Sequence, residues 1–445
     1  MNIQLSDHFT YKKLIRFTLP SIGMMVFTSI YGVVDGFFVS NFAGKTPFAA
    51  VNLIMPFLFI LATVGFMFGT GGSALVACTF GEKKPEKANS YFSLLVYVSF
   101  GIGLVLSVVS IIFLRPICRL LGAEGQLLAD CVLYGRIILM ALPFNILQYL
   151  FQSFCVTAEK PQLGLYTTLT SGITNMVMDA ILVILLPQHL KLAGAAIATA
   201  TSQFFGGIVP LIYFARPNSS ILRLGKTRFE GKALLKASIN GSSEFMSNIA
   251  MNLVGILYNL QLKAYAGENG IAAYGVMMYV SFIFNGMFVG YSIGTAPIVS
   301  YHYGAQNHRE LQSILKKSCI ILLISGLCMV LSAELLAAPL SSIFVSYNRE
   351  LMDMTVHGFR IYTIAFPFIG FAIFGSGFFT ALNDGPTSAA ISFLRTLVFQ
   401  IAAVLLLPMI WGIDGIWYSV VVAEIMAVLF SAIFLVAKRK KYQYF

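Results

Sequence analysis

The most constraining feature of this chain is an internal repeat at an offset of 223 residues, half of its length of 445 residues. Ungapped matches over residues 43 to 81 include Ala43-Gly44 with Ala266-Gly267, Phe59-Ile60 with Phe282-Ile283, and Gly81 with Gly304. The register returns with a small slip where Pro143-Phe144 meets Pro367-Phe368. A duplicated chain folds as two similar units. We therefore expect an N lobe at residues 1–222 and a C lobe at residues 223–445.

The composition predicts that both units lie in a membrane. Hydrophobic residues make up 58% of the chain and charged residues only 11%, whereas about a quarter of a soluble domain is charged. A helix needs ~20 apolar residues to cross a bilayer. Twelve such stretches lie at about residues 14–38, 47–78, 92–114, 130–157, 162–186, 192–214, 235–262, 270–300, 317–338, 353–380, 386–410 and 413–437. Six spans in each half make the repeats parallel and predict an all-α integral membrane protein of two six-helix bundles.

The distribution of Lys and Arg predicts the orientation. With the N-terminus inside, 20 of the 29 basic residues fall in segments on the side of the two termini. Basic residues accumulate in cytoplasmic loops, so we expect both termini in the cytoplasm. The net charge of +11 reflects this topology, and we expect no nucleic-acid partner.

Several kinds of chemistry have no motif in this sequence. It contains no HExxH, no Walker pattern and no dinucleotide-binding glycine pattern, and its six cysteines form no CxxC. We therefore expect no ATP-driven transport by this chain alone, no cofactor and no enzymatic activity. An internal duplication in so apolar a chain is instead typical of transporters.

Two carboxylates lie within predicted spans of the N lobe. Asp35 follows Arg16 by 19 residues, and Asp179 follows Lys160 by 19 residues, so both lie ~28 Å from an inner basic residue. Asn175 is one helical turn from Asp179, and Thr199 enters the same layer on the inward-running sixth span. Ionisable residues in a membrane are costly and usually functional. These four oxygen-bearing side chains predict a site for a shared proton or a Na⁺ ion; the alternative is that the two acids cap helix ends.

The C lobe has a different set of charges. Asp35 aligns with Tyr258, so the acid is absent from the second copy. Glu244, Arg395 and Glu424 instead lie in the inner half of the membrane. We interpret them as a neutralised cluster that stiffens this lobe, with substrate contact as the alternative.

The motifs around these residues resemble the multidrug and toxic compound extrusion (MATE) family over essentially the whole chain. The matching segments are Pro20, Tyr31-Gly-Val-Val-Asp35-Gly, Ala49-Ala-Val-Asn-Leu-Ile-Met-Pro56, Gly72 to Gly81, Asn175-x-x-x-Asp179, Gly194-Ala-Ala-x-Ala-Thr199 and Gly294 to Gly304. Gly241-Ser-Ser-Glu244-Phe, Ala272-Ala-Tyr-Gly and Ser392-Phe-Leu-Arg395-Thr are similar to a bacterial branch that includes staphylococcal multidrug exporters.

This resemblance implies a V-shaped pair of six-helix bundles that exports cationic, often aromatic drugs against an inward flow of H⁺ or Na⁺. The family's cation site falls on Asp35, Asn175, Asp179 and Thr199. Its substrate-lining positions fall on Tyr31 and Gln152, beside Asp35 and Asp179. Some members carry a second acidic site on helices 7 and 10; Glu244 matches its first part, but residues 357–382 contain no carboxylate.

We therefore expect a cation-coupled multidrug antiporter in the bacterial plasma (inner) membrane, acting as a monomer on organic cations within membrane lipid. A flippase for a lipid-linked saccharide is the main alternative, although the central basic cavity and extra helices that favour it are not evident. An intramembrane aspartyl protease would need Tyr-Asp and Gly-x-Gly-Asp, but Asp35 follows Val34 and Asp179 follows Met178. A passive channel is a further alternative that accumulation against a gradient would exclude.

Overall fold

The computed structural model describes residues 3–345 and 348–445, which are mostly helical, with longer non-helical segments only at residues 3–10 and 216–230 among these residues. The first half contains α1 to α6: Tyr11–Phe38, Lys45–Gly81, Pro85–Leu120, Gly125–Thr157, Pro161–Leu185 and Lys191–Ala215. A π-helical turn, Val39–Ala43, extends α1, and a short 3₁₀ turn, Gln188–Leu190, precedes α6. The second half contains α7 to α14: Gly231–Gly304, His308–Val345, Arg349–Thr363, Phe366–Ala381, Gly385–Phe393, Gln400–Leu406, Pro408–Trp411 and Ile413–Tyr442. A π-helical turn, Leu394–Phe399, joins α11 to α12.

The described helices account for the twelve predicted spans. Ten stretches are long and apolar enough to cross a membrane, and α9 with α10, bent by 48°, forms an eleventh. The 74 residues of α7 would extend ~110 Å as one straight helix, far beyond the thickness of a bilayer. The non-helical backbone of Gly267, at φ 61° and ψ −147°, divides α7 into two spans. The prediction of a twelve-span, all-α membrane protein is confirmed.

Four turns on the side of the two termini show the repeat in the backbone. Lys83, Glu159, Gln306 and Asn383 each have a positive φ, between 54° and 61°, directly after a long helix. A residue in the left-handed backbone conformation ends a helix here, because the N–H groups at and just after it hydrogen-bond to the last carbonyls of the helix. Lys83 and Gln306 differ by the offset of the repeat. This side also carries most of the Lys and Arg residues, and we call it the basic side.

The two halves meet closely on the basic side through α2 and α7. A Cβ atom at Gly241 would overlap the backbone of Met67, and one at Gly304 would overlap the backbone of Cys78. Glycine allows helix backbones to approach this closely inside a membrane. The contact continues along α1, where the Ser29 hydroxyl donates to the carbonyl of Phe282 at 3.1 Å. The halves are therefore closed against each other on the basic side.

The segment between α6 and α7 packs against the first half. The N–H of Arg223 donates to Asn89 Oδ1 at 2.7 Å, and the Thr227 hydroxyl donates to the carbonyl of Ser90 at 2.8 Å. Leu222 is fully buried beside these contacts. The lobe boundary between residues 222 and 223 lies in this segment and stays a prediction.

Candidate functional site

Three helices of the first half bring together the four residues that the sequence predicts as a cation site. The Thr199 hydroxyl on α6 lies 3.4 Å from Asp35 Oδ1 on α1, and Asn175 Nδ2 on α5 lies 3.4 Å from the same hydroxyl. The carboxyl group of Asp179 lies close enough to that of Asp35 for their charges to influence each other. The common depth inferred from the sequence thus corresponds to spatial proximity.

The burial of these side chains makes the ionised form of the two acids energetically costly unless a cation lies beside them. Asp179 is fully buried, Asn175 is 1% exposed and Asp35 is 9% exposed. Both carboxyl oxygens of Asp179 and the amide oxygen of Asn175 have no hydrogen-bond partner within the described part of the chain. Burying an ionised carboxylate without a partner is strongly unfavourable. A proton or a small hard cation between these oxygens would remove the penalty.

The position of the two acids in their helices does not support a capping role. Asp35 lies near the end of α1, before the π-helical turn that extends this helix to Ala43, and Asp179 lies six residues before the end of α5 at Leu185. Carboxylates stabilise helix N-termini, where free N–H groups point outward, and are unfavourable near C-termini. Both acids are in the C-terminal parts of their helices, so they gain nothing from the helix ends.

Tyr134 on α4 is a further member of this site. Its ring is fully buried, and its hydroxyl lies near Thr199 and Asp35 without a hydrogen-bond partner among the described residues. The phenol is a fifth oxygen-bearing group beside the two carboxylates, the amide and the hydroxyl. Sequence reasoning missed Tyr134, and only its depth near the outer end of the fourth span could have indicated it.

Tyr31 and Gln152, the predicted substrate residues, lie closer to the basic side than the two acids do. Tyr31 is one turn from Asp35, and its ring lies 6.0 Å from that of Phe27. Gln148 is the glutamine beside Tyr31, and its amide also lies 3.3 Å from Ser171 Oγ. Gln152, one turn further along α4, is 3% exposed, and its amide oxygen and nitrogen have no partner among the described residues. The structure thus adds Gln148 to the pair that the family resemblance indicates.

The charged residues of the second half form an ion pair and a separate acid. Arg395 Nε donates to both oxygens of Glu424, at 3.1 and 2.8 Å, and Glu424 is almost completely buried. Arg395 lies in the π-helical turn between α11 and α12. Glu244 lies near enough to Arg395 to be influenced by its charge, but the direct ion pair of Arg395 is with Glu424. The charge of Glu424 is therefore compensated directly.

The residue aligned with Asp35 makes a neutral, satisfied contact. The Tyr258 hydroxyl donates to Gln400 Oε1 at 2.8 Å, and its ring stacks on Tyr274 with a centroid distance of 5.2 Å. This position in the second half needs neither a proton nor a metal ion for charge balance.

Comparisons with known proteins agree with this fold. A model of the MatE family matches residues 20–181 and 245–406. The chain is 26% identical to the multidrug export protein MepA of Staphylococcus haemolyticus over 427 residues, which are 96% of this chain and 93% of that protein. It is 24% identical to MepA of Staphylococcus saprophyticus over 420 residues, or 94% and 92% of the two chains.

A solved structure shows the same architecture. An outward-facing conformation of a multidrug resistance MATE family transporter of the MOP superfamily aligns with a TM-score of 0.92 and 20% sequence identity, covering 99% of both chains. The expected resemblance and the expected fold are confirmed together. Because the family model matches corresponding parts of both halves and most of the chain, this multi-pass membrane protein belongs to the MatE family of multidrug efflux transporters.

Proposed function

We propose that the protein is an antiporter that exchanges external H⁺ or Na⁺ for internal organic cations, with the basic side in the cytoplasm of a bacterial inner membrane. The observation that supports this most directly is the buried Asp179 carboxyl group, unpartnered and adjacent to Asp35. Two acids in such an environment need a cation or a proton. The charge distribution along the sequence supports the orientation.

Occupancy of the acid pair would couple the two fluxes. With no cation bound, two neighbouring carboxylates repel each other in a region that excludes water. A proton or Na⁺ ion held by Asp35, Asp179, Asn175 and Thr199 lowers this energy. Coupling requires that the cation and the drug differ in affinity between the two states of the transporter. The cation would therefore favour one arrangement of the halves, and the drug would favour the other.

The surroundings of Asp35 suit a lipophilic organic cation. Tyr31 is one turn away, and Tyr149 lies near Tyr31 and stacks on Phe66 at 4.1 Å between ring centroids. Aromatic faces attract cations, most strongly where water is excluded. Gln152 supplies an amide with no competing partner in the described structure. We propose that the drug binds beside the acids, within a single chain, and competes with the coupling ion.

Transport by purified protein in liposomes tests the proposal. Ethidium uptake into vesicles is measured with a pH gradient, a Na⁺ gradient, both or neither. We expect one gradient to drive ethidium against its own gradient. Movement that only follows the ethidium gradient would indicate a channel and overturn the antiporter assignment. The variant Glu86→Gln, which changes an exposed carboxylate in the first turn of α3, is the control.

A further inference from the structure

The residues before α1 form an ordered contact across the basic side. We define residues 3–10 as the N-terminal strap. Leu5 and Phe9 are fully buried, and they belong to one apolar cluster with Val156 of α4 and Leu311 of α8. The strap therefore inserts apolar side chains between elements of both halves.

The strap has one polar anchor in the first half. The N–H of Leu5 donates to Glu159 Oε1 at 2.7 Å. Glu159 lies in the turn between α4 and α5, where its φ is 60°. A turn held by this backbone conformation places the carboxylate at a defined position. This anchor therefore lies where α4 ends and α5 begins.

The anchor in the second half is stronger. Glu310, in the first turn of α8, accepts from the N–H of Phe9 at 2.8 Å and pairs with His8 Nδ1 at 2.7 Å. It is 5% exposed. Lys317, two turns further along α8, donates to the carbonyl of Phe9. A buried carboxylate with two donors forms strong hydrogen bonds, and these bonds hold the middle of the strap against α8.

The strap lies beside the closest contact between the halves. The Phe9 ring packs edge-on against His302, at 6.5 Å between centroids, and His302 precedes the glycine that contacts the backbone of Cys78 by two residues. Alternating access requires the two halves to separate on this side. That separation would move the Glu159 and Glu310 anchors apart, so the strap has to release one of them.

We propose that the N-terminal strap is a latch that stabilises closure of the basic side, with Glu310 as its main anchor. The idea of an opening on this side rests on the proposed transport function. The C-terminal tail provides a contrast, because the hydroxyl groups of its tyrosines donate hydrogen bonds to groups of the second half. Tyr442 donates to Asp384 Oδ2 at 2.8 Å, and Tyr444 donates to the carbonyl of Leu435 at 2.9 Å.

The native Cys78 reports on opening of this seam. Its side chain is buried where α2 meets α7, so a maleimide reaches it when the halves separate. The full-length protein in liposomes is treated with N-ethylmaleimide, and modification of Cys78 is followed over time by peptide mass spectrometry. We expect Glu310→Ala to raise the modification rate about tenfold, the effect of losing a charge-assisted hydrogen-bonded anchor.

Three further variants separate a latch from general loosening. Glu310→Gln retains one acceptor for Phe9 and should raise the rate by less than Glu310→Ala. Glu86→Ala removes an exposed first-turn carboxylate of another helix on the same side and should leave the rate unchanged. Tyr442→Phe breaks a buried hydrogen bond within the second half and should also leave it unchanged. An unchanged rate in both Glu310 variants, or an equal rise in either control, overturns the latch.

A cross-link tests the same idea in the opposite direction. In the double variant His8→Cys and Glu310→Cys, a disulfide ties the strap to α8, with His8→Cys alone as the control. Oxidation by copper phenanthroline should reduce Cys78 modification below that of the reduced protein, and dithiothreitol should reverse the change. Equal rates in the confirmed oxidised and reduced forms would contradict the proposal. These measurements need no drug or ion gradient, so they remain informative if the antiport assay fails.

Discussion

The two halves of the molecule share a helical framework but differ in how a deeply buried acid of each half, Asp179 in the first and Glu424 in the second, is partnered. In the first half, Asp35 and Asp179 face each other, and the Asp179 oxygens have no partner among the described residues. In the second half, Glu424 pairs with Arg395, and Tyr258 with Gln400. A polar group that is already satisfied gains little from a ligand, whereas an unpaired buried acid gains much. We therefore expect cation binding in the first half and a structural role for the polar contacts of the second.

The largest effect that would test this comparison is the loss of the acid in the first half. Asp179→Asn preserves the shape but removes the charge that binds the cation, so coupled drug transport should fall about 100-fold, to near background. Insertion and helix content should be unchanged. Gradient-driven ethidium transport in liposomes, normalised to folded protein, measures the effect. Wild-type transport by this variant would remove Asp179 from the coupling site.

The next effect concerns the ion pair of the second half. Arg395→Ala leaves the buried Glu424 without its partner and should lower the free energy of unfolding by about 3 kcal/mol. Drug transport per folded molecule should persist, because this pair has a structural role. Thermal unfolding in detergent and liposome transport are measured side by side. The double variant Arg395→Met and Glu424→Leu should regain most of the stability. Normal stability with lost transport would place Arg395 on the drug pathway.

Two hydroxyl contacts, one in each half, should differ in what they affect. Tyr258→Phe removes a hydrogen bond to Gln400 and should lower stability by about 1 kcal/mol without changing cation affinity. Thr199→Val removes a hydroxyl from the acid site and should weaken the dependence of transport on the coupling ion about fivefold, with little loss of stability. Titration of transport against the ion, together with melting curves, would show both effects. If the two variants affected the same property, the functional division between the halves would be wrong.

The smallest effect separates two acids at corresponding turns outside the membrane. Burial alone would raise the pKa of Asp384, but hydrogen bonds from Tyr442 and Thr387 and the charge of Lys438 lower the pKa below its usual value. Asp384 therefore stabilises the fold at neutral pH, and this contribution is lost as pH falls through its lowered pKa. Asp384→Asn should cost about 1 kcal/mol at pH 7.

Glu159, at the matching turn of the first half, should show the opposite sign. Burial raises the pKa of Glu159, an effect that the N–H of Leu5 only partly opposes. Its ionisation therefore costs stability as pH rises through the raised pKa. Glu159→Gln retains an acceptor for Leu5 and should be as stable as the wild type, or slightly more stable, at pH 7. Unfolding of both variants from pH 3 to 8 measures the difference, and a large loss in Glu159→Gln would contradict this assignment.

The sequence by itself determined the number of spans, the repeat and the depth of the acids. Hydrophobic length decides whether a segment crosses a bilayer, and the constant rise of a helix converts residue number into depth. Asp35, Asp179 and Thr199 could therefore be assigned to one layer before their contacts were known. The break in α7 also falls between two predicted spans, because 74 helical residues cannot cross the membrane once.

Only the tertiary structure decided which side chains meet within a layer. Tyr134 is far in sequence from both acids, and its entry into the site depends on how α4 is rotated against α1 and α6. The same holds for Glu244, which shares a depth with Arg395, although the direct ion pair of Arg395 is with Glu424. The strap joins Leu5 to Glu159 and Phe9 to Glu310 across separations of 154 and 301 residues. Such contacts depend on the packing of whole helices, which neither hydrophobic length nor helical rise encodes.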